Sequence, residues 1–109
     1  MISFEEFKKV EIKVGKILSA EKVPETGKLI KLSVDFAETI PRQIISGIAQ
    51  HFPDSQTLVG KKCMFVSNLE PRVIKGLESQ GMLFAVSTDD GKFSLLEPSN
   101  DIPEGTTAK

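Results

Sequence analysis

Tryptophan and tyrosine are absent from these 109 residues, cysteine and histidine occur once each, and neither sign of charge dominates. Each shortage closes a class of function. The lone Cys63 has no partner for an internal disulfide. It stands in an apolar run, where a small buried hydrophobe is its expected role, and this usage fits a cytosolic setting. A single histidine, His51, with no cysteine cluster makes no metal-ligand set. As a general base His51 has no nucleophile or acid at a recognisable spacing, so it reads as a loop or strand-end residue. No P-loop and no G-x-G-x-x-G occurs. Asp89-Asp90 reads as a solvated turn rather than a catalytic pair. No catalytic residue, metal or cofactor is expected. No apolar run approaches the roughly 20 residues that span a bilayer. The charged start reads as helix and not as a signal peptide.

Net charge is −1, whereas a basic domain is the usual footprint of nucleic-acid binding. The charge is uneven, however. Between Lys61 and Met82 the cations are Lys61, Lys62, Arg72 and Lys75, against Glu70 and Glu78. From Glu97 to Glu104 only acids occur: Glu97, Asp101 and Glu104. A local basic face on a near-neutral domain gives moderate, salt-sensitive affinity.

The length suits one domain, residues 1–109, with one modest core. Ser3 and Glu6 form a capping box that opens a short helix from about Phe4 to Lys9. Phe4 and Phe7 share a face, which is expected to cover an end of the core. Val10, Ile12 and Val14 alternate with Glu11 and Lys13 as a half-buried strand. The alternation breaks at Gly15, which predicts a β-bulge there. Ile30 to Phe36 gives the cleanest strand. Arg42 to Ile48 is the third, and Ile44-Ile45 at its centre predicts cover on both faces. Pro53 to Gln56 reads as a helical turn capped by Asp54. Cys63 to Val66 and Met82 to Ser87 are the fourth and fifth strands. Asp89-Asp90-Gly91 turns the chain, and Phe93 to Leu96 returns as a short hairpin partner. Pro98 to Lys109 is polar and irregular. The pattern is all-β: a five-stranded OB-type barrel, with a short N-terminal helix and a small C-terminal extension. An SH3-like barrel is the alternative on pattern alone.

One stretch stands out. Asn68 to Met82 joins two core strands, yet it exceeds the roughly 4–6 residues such a connection takes, and long connections are often functional. Arg72 and Lys75 can reach phosphates. Asn68, Ser79 and Gln80 add amides and a hydroxyl, each with a turn-capping alternative. Lys31 and Arg42 are outward-facing strand residues and weaker phosphate candidates. Met82 is core by position. Single-strand binders stack bases on exposed aromatics. Here all the aromatic mass is seven Phe, with Phe36 and Phe65 assigned to the core. Recognition of a folded RNA by shape, phosphates and 2′-hydroxyls fits better.

Asn68-Leu69-Glu70-Pro71-Arg72 continuing to Gly76 and Ser79-Gln80-Gly81-Met82 resembles the signature of the tRNA-binding domain appended to methionyl-tRNA synthetases. Phe7 through Ile17 and Ser46-Gly47-Ile48-Ala49 resemble that family's first and third strands, and Leu58 to Lys61 the approach to the fourth. The same domain occurs alone in small bacterial proteins and in cytokine-precursor synthetase cofactors. The resemblance implies an OB-fold with a small C-terminal subdomain and binding to the outer corner of L-shaped tRNA without sequence specificity. It places Met82 at the tRNA surface. It also implies a homodimer built from the segments flanking the barrel, and, in the synthetase case, a catalytic domain as covalent partner. One branch of the fold family has a chaperone-like role, which supplies the alternative: a protein-binding OB-fold dimer. Glu70 departs from the pattern by setting a carboxylate beside Arg72.

Overall fold

The computed structural model describes residues 1–109. After the helix α1 (Phe4–Phe7) come β1 (Ile12–Lys22), β2 (Ile30–Asp35) and β3 (Arg42–Ser46). Two 3-10 turns follow, Ala49–His51 and Ser55–Leu58, and then β4 (Lys62–Val66). Two three-residue strands, β5 (Arg72–Ile74) and β6 (Leu77–Ser79), precede β7 (Met82–Leu83), β8 (Ala85–Ser87) and β9 (Phe93–Leu95). The main sheet has five strands in the order β3-β2-β1-β4-β7, and β5-β6 and β8-β9 are separate hairpins. The architecture is the expected all-β, five-stranded barrel of OB type.

The alternation read from the sequence produces this curl. β2 places Ile30, Leu32 and Val34 inward in strict alternation. They meet Ile17, Ala20, Ile44, Leu58, Phe65 and Leu83 in one core. Phe36 and Phe65 meet there edge to face, with centroids 5.3 Å apart. β1 serves two neighbours: Ile12 to Lys16 pair with β4, and Lys16 to Lys22 pair with β2. The bulge lies at Leu18, where the register slips between Ile17 and Ser19, and not at Gly15. Gly15 is a glycine for lack of space. A Cβ there would stand 2.6 Å from Val34 Cγ1 and 2.8 Å from both Phe36 and Phe65. The break in alternation marks close packing, which a pattern alone does not separate from a bulge.

Two further expectations change and a third gains detail. The fifth strand is interrupted: Met82-Leu83 pairs with β4, while Ala85 to Ser87 pairs with β9. The C-terminal tail is docked, although its composition is polar. Gly105 and Ala108 donate to the carbonyls of Val14 and Ile12, and Val14 donates to Thr106. Lys62 holds Asp101 at 2.7 Å and Glu104 at 3.3 Å, and Lys61 holds Glu97 at 3.5 Å. The acidic tail therefore pairs with two of the cations counted toward a basic face. Finally, α1 forms with its capping box but buries no residue. Phe4 is 72% and Phe7 47% exposed, so the helix does not cover the core.

Candidate nucleic-acid interface

The stretch Asn68 to Met82 is a built hairpin lying over β3, where a long loop was expected. Arg72 faces Ser79, Val73 faces Glu78, and Ile74 faces Leu77. Its turn is Lys75-Gly76, with φ of +51° and +80°. Positive φ at both central positions is the geometry whose twist matches antiparallel strands. Glycine takes it freely, while lysine bears a cost. The hairpin explains why β3 is apolar on both faces. Ile44 points into the core, and Ile45 is 6% exposed beneath Leu69, Ile74 and Met82.

The base of the hairpin closes the barrel with side chains in place of a strand. Ser79 is 4% exposed, and its Oγ accepts from the Ile45 N–H at 2.9 Å and donates to the Gly81 carbonyl at 3.1 Å. Gln80 Oε1 accepts from the Gln43 N–H at 3.0 Å, while the Gln80 N–H donates to the Gln43 carbonyl at 2.8 Å. These contacts satisfy edge donors of β3 that would otherwise be orphaned. Asn68 works at the other end of the stretch. Its Oδ1 accepts from the Glu11 N–H at 2.8 Å and its Nδ2 donates to the Lys9 carbonyl at 2.6 Å.

Arg42 is also engaged. Its guanidinium forks onto Glu38, through Nε at 2.8 Å and Nη2 at 2.7 Å, and lies over the Phe36 ring at 5.2 Å. Nη1 donates to the carbonyls of Ser67 and Gln80. The pairing with Glu38 raises the Arg42 pKa and holds the Glu38 carboxyl below its ordinary value. Four sequence candidates, Arg42, Asn68, Ser79 and Gln80, thus spend most of their polar atoms on contacts within the chain. Sequence spacing showed their chemistry but not its direction.

The other four face outward. Arg72 and Lys75 are exposed on the hairpin. Met82 is 44% exposed and lines a shallow depression with Arg72, Ile74 and Leu69, so it is a surface residue despite its strand position. Lys31 and Lys75 line a larger depression, of about 290 Å³, between the hairpin tip and the β1–β2 turn. Strand register produces that meeting: Lys31 stands opposite Ile45 on the outer face, where the hairpin crosses. Glu21 contacts Lys31 there at 3.7 Å and tempers the charge. Elsewhere, Cys63 is buried and its thiol pKa is pushed up to about 12. His51 stacks on Phe93 at 3.9 Å. Phe4, Phe7 and Val10 line an open groove with Thr107, Ala108 and Lys109.

Residues 12–107 match the family described as "Putative tRNA binding domain". The chain belongs to this tRNA-binding domain family. It is 44% identical over 106 residues to methionine–tRNA ligase of Lactococcus lactis, covering 96% of this chain and 16% of the ligase. It is 50% identical over 105 residues to that of Methanospirillum hungatei, covering 96% of this chain and 15% of the ligase. The chain thus spans about a sixth of the length of these relatives. Among solved structures, a MetRS-related protein from Pyrococcus horikoshii superposes with a TM-score of 0.90 at 43% identity, over 100% of this chain and 98% of that one. The chaperone CsaA from Bacillus anthracis superposes with a TM-score of 0.87 at 27% identity, over 100% and 99%.

Proposed function

We propose that this domain binds folded tRNA at the outer corner of the L, through the outward face of the β5–β6 hairpin and the depression at its tip. The observation that carries the reading is the hairpin itself: a hydrogen-bonded platform presenting Arg72 and Lys75, with Met82 and Lys31 beside it. Arg72 and Lys75 contact phosphates, Lys31 adds a weaker contact, and Met82 packs against a ribose or base. Arg42, Asn68, Ser79 and Gln80 set the platform's shape. With no stacking surface of tyrosine or tryptophan, readout is by shape and backbone. The domain itself performs no catalysis. As part of a synthetase it raises tRNA affinity by a tethered second contact; as a free-standing protein it does so in trans. Its place of action is the cytoplasm.

We assign the groove at the chain ends to a second copy of this chain. A four-residue helix is too short to be stable alone, and no residue of α1 is fully buried within its own chain. Its apolar side chains adjoin Thr107 to Lys109, so both chain ends contribute to one surface. The same groove supports the second reading, a chaperone-like protein binder, since CsaA superposes over the whole chain. Fluorescence titration with folded tRNA, with an unstructured RNA of equal length and with an unfolded protein substrate separates the two. Preference for the folded RNA is expected; binding only to the protein substrate would reverse the order.

A further inference from the structure

A single side chain holds both ends of the recognition stretch. The Arg42 guanidinium donates to the Ser67 carbonyl, immediately before Asn68, and at 3.3 Å to the Gln80 carbonyl, immediately after Ser79. Nε and one N–H of Nη2 are held by the Glu38 fork, and Phe36 covers its face. Ser67 is held in turn, with its N–H on the Glu11 carbonyl at 2.8 Å and its Oγ on Glu11 Oε1 at 2.7 Å. We propose that Arg42 is a positioning residue for tRNA binding: it clamps the base of the β5–β6 hairpin and so fixes the pose of Arg72 and Lys75, without touching the RNA. This rests on the tRNA reading above.

Geometry favours a clamp over a phosphate contact. The side chain is 22% exposed, and its donors already have acceptors on three separate segments. A phosphate would find only one Nη2 N–H without an intramolecular acceptor, too few for a bidentate grip unless Glu38 is displaced. Charge alone cannot perform the clamp. Lysine carries the same charge on one compact ammonium and cannot hold a planar fork and two carbonyls together.

The test compares Arg42→Lys, Arg42→Gln and Glu38→Gln with the wild type. Each is titrated with folded tRNA at several salt concentrations and followed by hydrogen exchange. Both Arg42 variants should bind about tenfold more weakly, with Arg42→Lys no better than Arg42→Gln, and Glu38→Gln should show a smaller loss. The salt dependence should keep its wild-type slope, because no phosphate contact is removed, whereas a lost contact lowers the slope by about one. Amides from Arg72 to Ser79 should exchange faster while those of β1 and β2 keep their protection. Full affinity in Arg42→Lys, or a reduced salt slope in Arg42→Gln, would overturn the clamp. Uniformly faster exchange across the barrel would make Arg42 a general stabiliser and overturn it as well. Failure of the wild type to bind tRNA would remove the function on which the clamp depends. Wild-type binding with unaltered variants would remove the clamp alone.

Discussion

Gly15 carries the sharpest steric constraint in the barrel. Any side chain there meets Val34, Phe36 and Phe65 at 2.8 Å or less. Gly15→Val should therefore destabilise by about 1–3 kcal/mol, the usual range for overpacking a core, read as a lowered thermal midpoint. An unchanged midpoint would mean that these three side chains can retreat. A second residue-level consequence is electrical. Arg42 holds the Glu38 pKa below its ordinary value, chiefly by hydrogen bonding, and the Ser67 hydroxyl does the same for Glu11. A carboxyl depressed in the folded state stabilises it above the unfolded pKa and loses that effect as pH falls through the folded one. Thermal midpoints of wild type and Glu38→Gln should differ at pH 7 and converge as pH falls through the lowered Glu38 pKa. A gap that stays constant with pH would assign the effect to packing.

At the scale of elements, the β5–β6 hairpin depends on its turn. Lys75-Gly76 holds positive φ at both positions. A valine at 76 should cost about 1–2 kcal/mol of local stability. Hydrogen exchange should show this as fraying of Arg72–Ser79, with weaker tRNA binding and a nearly unchanged global midpoint. A cooperative loss of the whole barrel would show that hairpin and barrel fold as one unit. This element also marks where sequence reading stopped. Ile30 to Phe36 alternates cleanly, so its strand was legible. Arg72-Val73-Ile74 and Leu77-Glu78-Ser79 are too short to establish a period, and Lys-Gly is a weaker turn signal than Asn-Gly. The doubled apolar pair Ile44-Ile45 did announce cover over β3, though not what supplied it. Residue type picked out Asn68, Arg42, Ser79 and Gln80 as polar groups of interest. Their use in intramolecular hydrogen bonds follows from tertiary contacts up to 59 residues apart, which no local pattern carries.

At the scale of the whole molecule, the proposed second copy docks on the exposed α1 face and the adjoining C-terminal residues. A second copy should give a particle of twice 12.0 kDa in sedimentation at micromolar concentration, with Phe4→Ser/Phe7→Ser shifting it to monomer. A monomeric wild type would leave the groove to another protein. The molecule's charge distribution bears on RNA in the same way. Net charge is −1, and Lys61 and Lys62 are paired with the acidic tail, so in the proposed binding mode attraction comes from the few cations at the hairpin. The measurement that tests this most directly is a salt-series titration of Arg72→Glu and wild type with folded tRNA and an unstructured RNA in parallel. Wild type should prefer the folded RNA. Arg72→Glu should lose about 1–3 kcal/mol of binding, from a charge-assisted contact replaced by repulsion. It should also flatten the salt dependence and leave the thermal midpoint in place. Equal affinity of the wild type for both RNAs, or wild-type binding by Arg72→Glu at every salt concentration, would contradict the hairpin as the tRNA site.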